Sequence, residues 1–265
     1  MYNRFQLLKK YLHYRFSASN GKGHGIHSPF VFDFVRLLLR DDVKDSSWKQ
    51  IESLRKELLH NDNFILVEDL GAGSGVIRSK RCAVADIARS SLKSPKYSQL
   101  LFRIVKYYKP SVIIELGTSF GISTCYMATA NPTAKIYTIE GSSEIAAIAN
   151  KNFQQAGLSN IELITGNFDD VLPELLKRIG NVDLAFIDGN HRKDPTLNYF
   201  KRFSDQLSAK GMMIFDDIHW SADMESVWTT ICGDQNVRTS IDLFFLGIIT
   251  IDPAFKNKQD FKIRF

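Results

Sequence analysis

The chain has little that would tie it to a membrane, a disulfide scaffold or a zinc centre. Its 265 residues include three cysteines, Cys82, Cys125 and Cys232. They are odd in number and far apart, which suits neither a disulfide framework nor a thiolate metal site. No apolar run approaches the ~20 residues needed to cross a bilayer. The opening stretch MYNRFQLLKKYLHYRF breaks its apolar residues with charges where a signal peptide needs an uninterrupted run. The expectation is a cytoplasmic chain with no membrane partner. Internal repeats, low-complexity tracts and dense basic runs with interleaved aromatics are also missing, which weighs against nucleic acid as a partner.

What is present is 44% hydrophobic and 24% charged sequence with a net charge of +5, enough for one large core or a core with an appendage. The charge is uneven. Residues 1 to 95 carry 16 Lys+Arg against 10 Asp+Glu, and the remainder 18 against 19. The basic residues are scattered through helical patterns, as on a solvated surface.

Texture changes near Pro110. Before it, NRFQLLKKYLHYRF, PFVFDFVRLLLR, SSWKQIESLRKELLH and SPKYSQLLFRIVKYY place apolar residues at three- and four-residue spacing, which predicts helices. SASNGKGHGIHSP, with His24 and His27, reads as a loop, and Phe30, Phe32 and Phe34 after it read as anchors onto a core. After Pro110, strand-length apolar runs alternate with amphipathic stretches, which predicts βαβ units and a parallel sheet. VRTSIDLFFLGIITID gives two strands with no helix between, a closing antiparallel pair. The expected architecture is α/β, a Rossmann-like doubly wound sheet of seven strands over residues 96–265. A mainly helical extension over 1–95 would serve as a lid or a subunit contact, and a homodimer is compatible with it.

Two glycine-punctuated stretches compete as a nucleotide loop. A dinucleotide-type loop needs a strand before it, a helix after it, and a second strand ending in an acid about 20 positions on. VEDLGAGSG, residues 67 to 75, has only the strand and reads as a turn beside the basic segment Arg78, Lys80 and Arg81. VIIELGTSFGISTC, residues 112 to 125, has every part, with Gly117 and Gly121 in the turn, a helix after it and Glu140 at the tip of AKIYTIE. Its Glu-x-Gly-x-x-x-Gly spacing points away from NAD.

From about Ser94 to the C-terminus the chain resembles the class I S-adenosylmethionine-dependent methyltransferases, nearest to their catechol O-methyltransferase-like branch. The matching runs are ELGTSFGISTCYMA, YTIEGSSEIAAIANKNFQQAGL, ITGNFDDVLPELL, VDLAFIDGNHRKD and GMMIFDDIHW, in family order. The resemblance implies that Gly117, Thr118, Ser119 and Gly121 pass beneath the methionyl part of S-adenosylmethionine. Ser123 would lie near its carboxylate, with Glu115 supporting the loop. It implies that Glu140, followed by Gly141, grips the ribose. Asn167, Phe168 and Asp169 would line the adenine pocket, and Asp188 would border cofactor and substrate alike.

Asp188 closes AFIDGNH, and Asp216 and Asp217 close MIFDDIH. Adjacent strand ends bring such acids together, and three clustered carboxylates invite a hard divalent cation such as Mg²⁺, Mn²⁺ or Ca²⁺ rather than Zn²⁺. In the resembled branch these positions hold magnesium and, through it, the substrate hydroxyls. The sequence departs from that branch twice. Asp217 stands where an Asn is usual, and His191 where a Lys is usual. A neutral imidazole takes a proton at neutral pH without prior tuning. His191 and Asp188 are therefore the candidate catalytic pair, and since Asp-Gly-x-His endings also occur in enzymes acting on sugar hydroxyls, the expected acceptor is a small-molecule hydroxyl, phenolic or sugar-like. Two rival readings are a nucleic-acid or protein methyltransferase, and a cofactor-binding scaffold without activity.

Overall fold

The computed structural model describes residues 1–19, 28–39, 45–69 and 78–265. His24, His27 and most of the VEDLGAGSG turn lie outside the described residues. The chain opens with helices α1 (Arg4–Ser17), α2 (Pro29–Leu38) and α3 (Trp48–Leu59), then the strands β1 (Phe64–Asp69) and β2 (Arg78–Ala83), then α4 (Val84–Ser91) and α5 (Pro95–Tyr108). Alternation follows, with β3 (Val112–Leu116), α6 (Ile122–Ala130), β4 (Lys135–Glu140), α7 (Ser143–Gln155), β5 (Ile161–Thr165), α8 (Phe168–Ile179), β6 (Val182–Ile187), α9 (Lys193–Ser204), β7 (Leu207–Asp216) and α10 (Ala222–Gly233). The chain closes with β8 (Thr239–Asp242), β9 (Leu246–Thr250) and β10 (Gln259–Lys262). Among the described residues, no helix is long and apolar enough to cross a membrane.

Packing groups the chain into two compact units, one of residues 1–40 and 179–265 and the other of residues 41–178. This division follows the packing of the chain, whereas the boundary at residue 95 follows sequence texture. In the second unit, β3, β4 and β5 run parallel, with Glu115 opposite Thr138 and Glu140 opposite Thr165. Trp48, Ile51, Phe102, Tyr126 and Phe153 are buried together in one core cluster, joining α3, α5, α6 and α7. Pro95 opens α5 where its missing N–H costs nothing. Lys109 ends that helix in the left-handed region at φ 49, just before Pro110. The strands β1 and β2 pair antiparallel in a separate two-stranded sheet.

In the first unit the strand order is β10-β8-β9-β7-β6, with β6 and β7 parallel, β7 and β9 antiparallel, β9 and β8 antiparallel, and β8 and β10 parallel. The two apolar strands expected at the tail are thus antiparallel neighbours. Seven strands were expected for the main sheet, and apart from the β1–β2 pair the described residues hold eight, five in the first unit and three in the second. The addition is β10, whose sequence QDFK carries a single apolar residue and gives no buried run to read. α1 docks through Tyr14 and Ala18 onto Phe244, and Tyr14 donates its hydroxyl hydrogen to the carbonyl of Ile263.

Candidate active site

In the second unit the loop from β3 to α6 folds back on the tip of β4. Gly117 and Gly121 have φ of 99° and 79°, a region costly for any side chain. At Gly121 a Cβ would also lie 2.3 Å from the Phe153 ring, so the glycine lets α6 start against α7. The amides of Gly117 and Thr118 donate to the carbonyl of Ile139 at 3.0 and 3.2 Å. The Ser119 amide donates to Glu140 Oε2 at 2.8 Å, and the Ser142 amide to Oε1 at 3.1 Å. Burial raises the Glu140 pKa, opposed by those amides and by that of Gly141. Each carboxylate oxygen has acceptor capacity beyond one amide, so Glu140 could still receive a diol.

Glu115 lies beneath this loop, fully buried. Its Oε2 accepts the hydroxyls of Thr124 at 2.5 Å and Thr138 at 2.6 Å. Thr118 and Thr138 share a 2.6 Å hydrogen bond, and because the Thr138 proton goes to Glu115, Thr118 is its donor. Glu115 Oε1 is buried without a hydrogen-bond partner. Burial is the main cause of a pKa pushed up to about 7. Ser123 is half-buried in the first turn of α6. Asn167 Oδ1 accepts the Asp169 amide at 3.0 Å, and Asp169 is exposed at the start of α8. Both are thereby accounted for as helix-opening residues. Phe168 is half-buried beside them.

In the first unit the register of β6 and β7 sets Ile187 opposite Phe215, so Asp188 and Asp216 follow as the next pair, one strand spacing of about 4.8 Å apart. Asp188, His191 and Asp216 each place a ligand atom within 4.8 Å of the other two. His191 Nε2 is 3.9 Å from Asp188 Oδ1. A cation with bonds of about 2.0–2.5 Å spans such a cluster with little adjustment; the two carboxylates suit a hard divalent ion, and the imidazole also admits a borderline one. Asp217 does not belong to this trio; it has φ 55 and its amide donates to the Phe245 carbonyl at 2.7 Å. The sequence reading put His191 beside the metal site as a base, and the structure puts its ring inside the cluster.

Residues 114–218 match the model of a family described as a methyltransferase domain. A catechol O-methyltransferase of Niastella koreensis is 36% identical over 127 residues, covering 47% of this chain and 56% of that protein. Over these spans the chain is similar to methyltransferases, catechol O-methyltransferases among them. Solved structures agree on the α/β Rossmann-like fold. The SAH-bound methyltransferase PaMTH1 of Podospora anserina superposes with a TM-score of 0.58 at 17% identity, covering 94% of this chain and 97% of its own. An O-methyltransferase of Bacillus cereus in complex with SAH gives 0.57 at 18% identity, covering 79% and 93%. Against the curated relatives the match is partial, and the chain spans just over half the length of the Niastella protein.

The site also has supporting residues that sequence reasoning missed. Asn190, with φ 55, donates its amide to the Tyr199 hydroxyl at 3.0 Å and accepts from Arg192 Nε at 2.6 Å, fixing the turn that carries His191. A second network stands behind Asp216 and Asp217. His219 Nε2 lies 2.9 Å from Asp242 Oδ2 and Nδ1 3.1 Å from Glu225 Oε1. Glu225 in turn accepts from the Tyr2 hydroxyl at 2.8 Å and from Lys10 Nζ at 2.9 Å; burial pushes its pKa up, but the contacts with Lys10, Tyr2 and His219 together outweigh it and hold the pKa down. The one local signal was His219 itself, inside FDDIHW; its partners are 6 and 23 positions away.

Proposed function

We propose that the chain moves the methyl group of S-adenosylmethionine to a hydroxyl oxygen of a small molecule, phenolic or sugar-like, with a divalent cation assisting. The observation that carries this reading is the trio Asp188, His191 and Asp216, two carboxylates and an imidazole gathered at two strand ends. When bound, S-adenosylmethionine supplies a methyl group already activated on a sulfonium, and a divalent cation supplies charge stabilisation for a hydroxyl losing its proton.

The protein's part is then positioning and one proton transfer. Glu140 holds the ribose hydroxyls while its own amide contacts keep the Gly117–Gly121 turn closed. Glu115, through Thr118, Thr124 and Thr138, fixes the floor of that turn. Asp188 and Asp216 provide hard oxygen donors for the cation. His191 accepts the hydroxyl proton at Nε2. Holding two reactants in line is worth roughly 7–11 kcal/mol, against about 10²–10⁴ in rate for a positioned base, so most of the acceleration comes from alignment.

The test is incorporation of labelled methyl from S-adenosylmethionine into a panel of catechols, phenols and sugars, with RNA and a protein mixture as further arms, each with Mg²⁺ and with chelator. Transfer to a small hydroxyl acceptor that falls on chelation is the expected result. Transfer to RNA or protein alone, or cofactor binding with no turnover on any acceptor, would overturn it.

A further inference from the structure

α1 is apolar on two sides. One side, with Leu7, Tyr11, Tyr14 and Ala18, packs on Phe244 and Phe245. The other carries Phe5, Leu8, Leu12 and Phe16, and all four are exposed, Phe5 by 77% and Phe16 by 83%. At about 100° per residue the four helical ones, Phe5, Leu8, Leu12 and Phe16, fall within one stripe roughly 80° wide and about 16 Å long. Exposed aromatic and aliphatic side chains lined up in this way mark a contact surface, whereas scattered ones do not.

Charge identifies the occupant. On the helical wheel Arg4 and Arg15 border the stripe on one side and Lys9 and His13 on the other, and all four are exposed. Lys10 is turned away and paired with Glu225 at 2.9 Å. No acidic residue occurs before Asp33, so the stripe has no negative charge of its own helix nearby. A two-fold pairing of α1 with a second copy would set these basic borders against each other. A flat anionic surface answers both the apolar stripe and its borders. We propose that α1 lies along the surface of a bilayer containing anionic lipid, with Phe5, Leu8, Leu12 and Phe16 inserted and Arg4, Lys9 and Arg15 at the headgroups. Such a helix needs no spanning length, so this is compatible with the lack of a membrane-crossing helix among the described residues.

The inference is independent of the methyl-transfer reading, and so is its experiment. The full chain is sedimented with vesicles of phosphatidylcholine alone and of phosphatidylcholine mixed with phosphatidylserine, at low and high salt. Binding to the mixed vesicles tighter by on the order of a hundredfold, weakened by salt, is expected from three basic residues near the surface. Phe5→Ser with Phe16→Ser should lower that binding at least tenfold while leaving the unfolding midpoint unchanged, since both side chains are exposed. Leu8→Ser is the independent second variant, with a smaller loss in the same direction. Equal binding to both vesicle types, no binding to either, or undiminished binding by the Phe variant would each overturn the proposal. So would a dimer that the Phe variant dissolves while vesicles bind neither protein.

Discussion

The acids at the tips of β3 and β4 are held differently from those at the tips of β6 and β7. Glu140 and Glu115 are each tied by hydrogen bonds to groups of their own unit, amides for one and threonine hydroxyls for the other. Asp188 and Asp216 are gathered with His191 within 4.8 Å by strand register. The first arrangement is a built cradle, in which burial and hydrogen bonding set the loop before any ligand arrives. The second concentrates negative charge, which is tolerable where an opposite charge is shared among the donors. Under the proposed function the first region would recognise neutral hydroxyls and the second would manage charge, so substitutions in the two should separate into binding and turnover effects.

The largest separation is expected at Asp216. Asp216→Ala should abolish cation-dependent turnover while leaving S-adenosylmethionine affinity within a few-fold, measured by calorimetry. Retained turnover would remove the cation from the account. His191→Gln comes next, with a rate loss of roughly 10²–10⁴ if the ring is the proton acceptor. Manganese binding followed by electron paramagnetic resonance decides between its two roles, since an unchanged manganese affinity marks a base and a lost one marks a ligand. Glu140→Ala should act in the opposite direction to Asp216→Ala. Losing charge-assisted hydrogen bonds of about 1.5–3 kcal/mol predicts a roughly ten- to hundredfold weaker cofactor, with saturated turnover much less affected. A Glu140 variant that bound the cofactor normally would break the comparison at its first half.

Much of this contrast could be read from the chain because it lies in local spacing. Gly117, Gly121 and Glu140 are set by a strand, a tight turn and a second strand within about 25 positions, and Asp188 and Asp216 by their places at strand ends. What could not be read depends on pairing between distant segments. β10 is too polar and short to stand out, and the partners of His219 are fixed only when β8 and α10 come beside the end of β7. The fully buried setting of Glu115 was likewise hidden, since Thr118, Thr124 and Thr138 are adjacent only in the fold. At Asn167 and Asp169 the resemblance implies an adenine pocket, and the fold adds a contact that the resemblance does not give, the Asp169 amide donating to Asn167 Oδ1 at the opening of α8.

The smallest effect, and the sharpest check on the cradle, is expected at Glu115. Its pKa lies at about 7 against an ordinary 4.5, chiefly because it is buried, with Glu140 adding to the shift and Lys93 and the threonines opposing it. An acid whose folded value is raised binds its proton more tightly in the folded chain. Stability from this group is therefore fully present below about pH 4.5 and is lost as pH rises towards 7, after which it changes no further. At about 1.4 kcal/mol per unit the full swing is on the order of 3 kcal/mol. Glu115→Gln removes the titration while keeping one oxygen for Thr124 and Thr138. The difference in unfolding free energy between wild type and variant, from denaturant melts at steps across pH 4.5–7, should shift in favour of the variant as pH rises. Because Oε1 has no partner, the variant's amide nitrogen inherits an unsatisfied position, which offsets the curves by a constant and leaves the slope to report on burial. A difference that stayed flat across that window would mean that Glu115 is solvated, and the loop would then lack the dry floor assigned to it.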